Sequence, residues 1–340
     1  MPKGNSDRSA ELHAASVVVI GHDHWADEAH LLSMQPAGLT AKILHLSVDA
    51  DVWSGPEKMQ ASMHRYTGWT APARAAIERV RRLAEARPDR LRLALTASDI
   101  ERARTDGVSA VVLGFEGGKP IEQDLGLLAD FHRRGLRVLQ LTWAGGNDIC
   151  DRRDEPACEG LTPFGRSVVT ECNRLGILLD PGHCSRRTFD QVLELTSAPV
   201  AVLHATPSGA KPGAGDVSDE QLKALAQGGG VIGLHFFSHY LHPSRRATVA
   251  DLVDHVDYVA NLVGIDHVAL GGDYFDLTEE FVKGHGPAPG GFMGIPPDLD
   301  SYEKLVNVTR ELIERGYSDE HTKKVLGGNL LRVLRAALRG

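Results

Sequence analysis

Six groups able to bind a metal or move a proton fall at one kind of place in this chain, the end of a short apolar run. The run VVVI leads into Gly-His-Asp-His, so His22 and His24 stand two residues apart. Residues i and i+2 of a strand share a face, which aims both imidazoles at one spot and Asp23 away. Ala110–Phe115 is followed by Glu116, Ile177–Asp180 by Pro-Gly-His183, Val200–Leu203 by His204, and Val268–Gly271 by Gly272-Asp273. Four imidazoles and two carboxylates suit borderline cations such as Zn²⁺ or Mn²⁺. Six donors exceed what one tetrahedral catalytic ion takes, and a carboxylate bridging two ions about 3.5–4 Å apart accounts for the surplus. Such a pair activates a shared water and polarises a carbonyl, while a spare carboxylate carries the proton to a leaving amine. Each residue alone has a plainer reading: a core or rim histidine, a helix cap at Glu116, a turn former at Asp273. The coincidence of all six at strand ends is what argues for a site.

The elements that must position them are legible as an alternation. Strands are predicted at Ser16–Ile20, Ile43–Val48, Ala110–Phe115, Val138–Trp143, Ile177–Asp180, Val200–Leu203, Val231–Phe237 and Val268–Gly271. Helical patterns lie between them at Ala71–Ala86, Ile121–Arg134, Phe164–Leu175, Arg186–Thr196, Asp219–Ala226 and Val249–Val263. Apolar strands each followed by a helix read as parallel β/α units, and eight make a (β/α)8 TIM-type barrel whose C-terminal strand ends share one mouth. A doubly wound sheet is the alternative, but Gly21-His22-Asp23-His24 is no dinucleotide fingerprint. Leu91–Ala97 is a ninth, irregular or edge candidate, and Gly284–Pro297 is too rich in Gly and Pro for anything but a loop. Residues 1–15 are expected to be an N-terminal extension and 16–340 a single catalytic domain.

The 340 residues are 42% hydrophobic and 24% charged, which supports a sizeable core. A net charge of −8 gives no footprint for nucleic acid or an anionic membrane, so neither partner is expected. No apolar run is long enough to span a bilayer, and the first residues lack the apolar core of a secretory signal. Four cysteines are too few for a disulfide scaffold; the cytoplasm is the expected compartment.

At this point the chain resembles the membrane (renal) dipeptidase family of metallopeptidases from about Val17 to Leu338. The marks are GHDH at 21–24, GFEGG at 114–118, LGLLADFHRRGLRVLQLTW at 125–143 and GLTPFGRSVVTECNRLGILLDPGHCS at 160–185. SAPVAVLHA at 197–205, DHVDYVANLVGIDHVALGGDYFD at 254–276 and LGGNLLRVLRA at 326–336 continue them. The resemblance implies a (β/α)8 barrel with a binuclear zinc centre that hydrolyses dipeptides. It implies that His22 binds one metal, Glu116 bridges both, His183 and His204 bind the second, and Asp273 handles the proton. The cofactors expected are two divalent ions, Zn²⁺ first, with Mn²⁺ or Fe²⁺ as alternatives.

Three departures bear on the substrate. His24 stands where the family pattern has aspartate, which removes one negative charge. Trp143 stands where the animal members place a histidine that contacts the reacting carbonyl, and it offers one indole N–H. Gly215 stands where the family has an arginine that grips the substrate carboxylate; nearby Lys211 is a point charge without the bidentate fork. Tyr274, beside Asp273, joins Trp143, Lys211 and Gly215 as a substrate-contact candidate. The expected function is therefore hydrolysis of the amide bond in a dipeptide or small peptide-like substrate; the resemblance implies a homodimer, while the residues themselves leave the oligomeric state open. The alternative is a specialised amidohydrolase, or another metal-assisted step such as decarboxylation, on a molecule lacking that carboxylate. A silent binding protein is a third reading, against which the retained Asp273 argues.

Several further residues have two readings. His235, His239 and His242 read first as loop histidines bonded to backbone or water, and second as mouth contacts. Asp180 either orients a ligand imidazole or caps the turn before Pro181. Cys184 reads as a buried thiol, Cys150 and Cys158 as neighbours across an acidic loop, and Trp25 as a wall or as packing. Gly327-Gly328-Asn329 reads as a helix start.

Overall fold

The computed structural model describes residues 4–51, 56–143, 145–153, 159–210, 216–276 and 292–339. Nine strands form one sheet among them: β1 Val19–Asp23, β2 Ala41–Val48, β3 Leu91–Leu93, β4 Ser109–Glu116, β5 Leu136–Gln140, β6 Leu178–Asp180, β7 Ala201–Ala205, β8 Val231–His235 and β9 Val268–Tyr274. All pairings are parallel, in the order β6-β5-β4-β2-β1-β9-β8-β7, with β3 attached to β4 as the edge element expected there. The result is a nearly closed eight-stranded barrel wrapped in helices, the TIM-type architecture. Between β6 and β7 no ladder forms among the described residues. Asp180 Oδ2 spans the gap instead, accepting from Leu203 N–H at 3.2 Å.

The alternation of side chains sets the two cores. Val19, Ile43, Val112, Val138, Ala201, Val231 and Ala269 pack inside the barrel with Leu330, Val333 and Leu334 of the helix Asn329–Ala337, which closes the floor. Ile20, Leu44, Val111, Leu139, Val202 and Ile232, one residue out of phase, pack outward against the helices. Asn329 starts that last helix, as expected, and Gly327 before it lies so close to Val17 O that a Cβ would sit 2.4 Å away. The 1–15 segment contains the helix Gly4–Ala15, tied down by His13 to Thr309 at 2.7 Å and Arg8 to Asp319 at 2.7 Å. No helix among the described residues is long and apolar enough to cross a membrane.

Irregularities in register matter more for the site than the regular ladders. Ile20 pairs with Lys42 but Asp23 with Leu44, so β1 carries one extra residue next to His22. Likewise Val202 pairs with Ile232 and Ala205 with Leu234, which puts an extra residue in β7 at Leu203–His204. His22 pairs with Gly272 and Asp23 with Tyr274, leaving Asp273 as the unpaired residue of β9. Such bulges re-aim a side chain at a strand end, and here each adjoins a functional group.

Candidate metal centre

Each polar group at the mouth is delivered by a strand end. His22 is on β1, Glu116 ends β4, His204 is on β7 and Asp273 on β9; His24 and His183 follow β1 and β6. Gly21, Gly233 and Gly271 let β7 come close to β1, β8 and β9, since a Cβ at any of them would lie within about 3.1 Å of Leu203 O. That approach brings the His204 ring to 3.8 Å from the His22 ring, centroid to centroid. Two residues accept a left-handed backbone to aim their side chains: His183 at φ 62° and Asp273 at φ 68°. For a non-glycine residue that costs on the order of 1 kcal/mol, and such strain gathers at functional sites.

The arrangement is two pairs around one carboxylate. His22 Nε2 and His24 Nε2 are 3.1 Å apart and face Glu116 Oε2 at 3.7 and 3.2 Å. His183 Nε2 and His204 Nε2 are 3.0 Å apart and face Glu116 Oε1 at 3.2 and 3.4 Å. Two donors on one tetrahedral ion stand about 3.3 Å apart, given metal–nitrogen distances of about 2.0–2.1 Å. Each pair therefore has the spacing of two donors on one ion. Asp273 Oδ1 looks at the first pair, 3.9 Å from His22 Nε2 and 3.6 Å from His24 Nε2.

His24 points its Nε2 into the cluster, and its Nδ1 lies 3.1 Å from His45 O. A proton on Nδ1 bonded to that carbonyl leaves the Nε2 lone pair for a cation. Asp23 turns outward, as its alternate position requires, and accepts from Lys42 Nζ at 2.9 Å, Trp25 N–H at 2.8 Å and Tyr302 OH at 2.6 Å.

Charge and burial act against each other throughout. Burial alone would raise Glu116, but the imidazoles of His22, His183 and His204 outweigh it and hold the carboxyl well below its usual range. Burial pushes His22 down to about 3 and His183 down to about 4. Burial would also lower His204, yet the hydrogen bond and charge of Glu116, with Asp273, raise it to about 9. His24 is raised for the same reason. Asp273 lies below its ordinary value: burial works upward, and the hydrogen bond with His235 outweighs it.

The remaining candidates divide. Tyr274 is a core residue rather than a substrate contact: it is fully buried, its hydroxyl donates to Leu299 O at 2.6 Å, and its ring stacks on Trp25 at 4.8 Å. The neighbour of a strand residue turns to the opposite face, so adjacency to Asp273 takes Tyr274 away from the mouth. Trp143 packs with Val48, Ala50, Met59 and Met63. Trp25 lines a cavity of about 650 Å³ with His24, His45, Val48 and Phe275. Lys211, Gly215, Cys158 and most of the 284–297 loop lie outside the described residues. Asp180 caps the turn through Gly182 N–H at 2.7 Å as well as spanning the barrel gap. Cys150 approaches Cys184, Sγ to Sγ 3.8 Å. His242 accepts from Ser244 N–H, a local loop bond as first read, and His239 packs on Tyr240 at 4.2 Å.

Other residues at the centre were given their second reading or none. His235, read first as a loop histidine, ends β8 with Nε2 3.1 Å from Asp273 Oδ2. His45 on β2 stacks on His22 at 3.7 Å with an interplanar angle of 13°. Its place two residues after inward Ile43 was the available signal. Arg153 lies 3.5 Å from His183 Nδ1 and pairs with Asp216 at 2.8 Å; nothing in its local sequence marks it.

A family model described as membrane dipeptidase (peptidase family M19) matches residues 42–339. Dipeptidase tcpJ of Claviceps purpurea (strain 20.1) is 33% identical over 262 residues, 76% of this chain and 58% of its own length. Dipeptidase 3 of Mus musculus is 31% identical over 265 residues, 76% of this chain and 50% of its own. The chain thus spans about half to three-fifths of the length of these curated relatives. Among solved structures, an amidohydrolase from Pseudomonas aeruginosa superposes with a TM-score of 0.84 at 28% identity, covering 97% of this chain and 99% of that one.

Proposed function

The chain belongs to the membrane dipeptidase family, peptidase family M19, and on that premise we propose that it is a metal-dependent hydrolase cleaving the amide bond of a dipeptide or small peptide-like molecule. The observation that carries the reading is the division of Glu116, one oxygen facing His22 and His24 and the other facing His183 and His204. Each pair would hold one divalent ion with Glu116 shared, Zn²⁺ first by its preference for nitrogen and oxygen donors, Mn²⁺ or Fe²⁺ as alternatives. Bound there, the ions would acidify a shared water and polarise the carbonyl to be attacked.

The chain's own groups do the rest. Asp273 Oδ1, turned toward the first pair, takes a proton from the attacking water and passes it to the leaving amine. His22, Glu116, His204 and Asp273 are all buried, and a dry site strengthens each of these interactions. The test is metal analysis and a dipeptide panel before and after chelation. Two ions per chain and activity that returns with Zn²⁺ are expected; full activity after exhaustive chelation would overturn the reading.

Gly215 favours a second reading, a substrate without a free C-terminal carboxylate, because the arginine that would bind one by a charge-assisted bond is replaced. A dipeptide and its C-terminal amide separate the two. Dipeptide hydrolysis should slow by about tenfold or more on amidation, the worth of one hydrogen bond to a charged group; equal rates favour the second reading.

A further inference from the structure

We propose that His235 is the positioning residue for Asp273, donating from Nε2 to Oδ2 so that only Oδ1 meets the reacting proton. The inference rests on the hydrolase reading above and adds a residue to it.

The argument begins with the ring's other nitrogen. Phe237 N–H, two residues on, points at His235 Nδ1 from 3.1 Å. A backbone N–H is always a donor, so Nδ1 must be the acceptor, and the neutral ring then carries its proton on Nε2. That Nε2–H lies 3.1 Å from Asp273 Oδ2. The ring is held in this orientation by Tyr240, 4.4 Å away, and by the edge contact of Phe237 at 5.1 Å. His235 is 5% exposed, and it pairs with Gly272, immediately before the aspartate it serves.

Asp273 needs such a partner. Its backbone is left-handed, it is the unpaired residue of the β9 bulge, and its carboxylate is otherwise free to turn about χ2. With Oδ2 engaged by β8, Oδ1 is fixed facing His22 and His24. The proton balance is simple. Oδ1 takes one proton from the attacking water and returns that proton to the leaving amine, and His235 neither gains nor loses one.

Two variants and one spectroscopic measurement test this. His235→Phe keeps the aromatic packing and removes the donor; misplacing a reacting group costs about a hundredfold. The expected result is a kcat about 100-fold lower, with KM within threefold and metal content per chain unchanged. His235→Gln, which restores an N–H near Nε2, should recover most of that loss. Independently of any substrate, ¹⁵N-histidine NMR of the metal-loaded protein, assigned by difference from His235→Gln, should show His235 as the Nε2–H tautomer. An unchanged kcat in His235→Phe, a loss that follows metal content, or an Nδ1–H tautomer would each overturn the proposal. If the wild type turns over neither dipeptides nor their C-terminal amides, the hydrolase reading fails, and the tautomer still decides the His235 geometry.

Discussion

The two halves of the candidate metal centre have nearly the same spacing but are built by different means. His22 and His24 extend from β1, which is laddered to β2 on one side and β9 on the other. His183 and His204 face each other where β6 and β7 share no ladder among the described residues. There Asp180, fully buried, takes the place of backbone pairing by accepting from Gly182 and Leu203 N–H groups. Burial raises Asp180 to about 6 against the opposing pull of His204 and those two donors. The same 3.0–3.1 Å separation of imidazoles is thus held by a sheet in one half and by a single carboxylate in the other. Equal geometry need not mean equal robustness.

The largest effect should come from the residue the halves share. Glu116→Gln keeps the shape but replaces one ligand oxygen by an amide nitrogen that cannot ligate. Both pairs are affected together, and kcat should fall by at least about a thousandfold, as expected when groups acting as a unit lose one member. Metal analysis should show depletion beyond a single ion. Normal content of both would mean that Glu116 bridges nothing.

Next comes the gap itself. Asp180→Ala leaves two buried N–H groups without a partner and should cost about 1–3 kcal/mol in thermal or denaturant unfolding. Affinity for one of the two ions should drop about 10–100-fold, the usual consequence of losing a group that orients ligands. The other ion, between His22 and His24, should be retained. Equal weakening of both ions would show that the halves are not separately supported.

How much of this was legible in the sequence follows from what each residue's signal depends on. The eight barrel strands and the groups at their ends depend on local alternation; Glu116 ends β4, while His204 and Asp273 lie on β7 and β9 beside the bulges that aim them. Applied without exception, the same rule finds His235, the last residue of β8, which the cluster HFFSHYLH disguised as a loop. It also rejects Tyr274, which adjacency had suggested. His45 is masked by the apolar run around it, although a polar residue on an inward position is itself a signal. The gap between β6 and β7, the bulges and the Arg153–Asp216 pair depend on tertiary closure, which no local pattern encodes.

A smaller effect should come from reversing the departure in the first half. His24→Asp restores a negative charge beside His22 and Asp273, while the second pair keeps its ligands. The first ion should bind about tenfold tighter, equivalent to about 1.4 kcal/mol, in competition titrations with a chelator. An equal gain at both sites, or none, would indicate that His24 does not belong to one half.

The last effect is in protons, and it sharpens the comparison from the other side. Without an ion, His204 holds a proton up to about pH 9 through Glu116, while His22 and His183 are neutral above about 3 and 4. The sign follows from the shifts. His204 is raised above an unfolded value of about 6.5, so its pairing stabilises the metal-free fold fully below that pH and is lost as pH rises through 9. His22 and His183 are lowered, so their neutral burial costs stability as pH falls below about 6.5 toward 4 and 3. A cation between His183 and His204 must displace the His204 proton. Its affinity should therefore rise about tenfold per pH unit between pH 7 and 8.5 and level off above 9. His24 is raised too, so the first ion also releases a proton as it binds. Calorimetric titration in buffers of different ionisation enthalpy counts these protons directly. A pH-independent affinity for the second ion across that range would mean that His204 is already neutral and that Glu116 does not hold it as an ion pair.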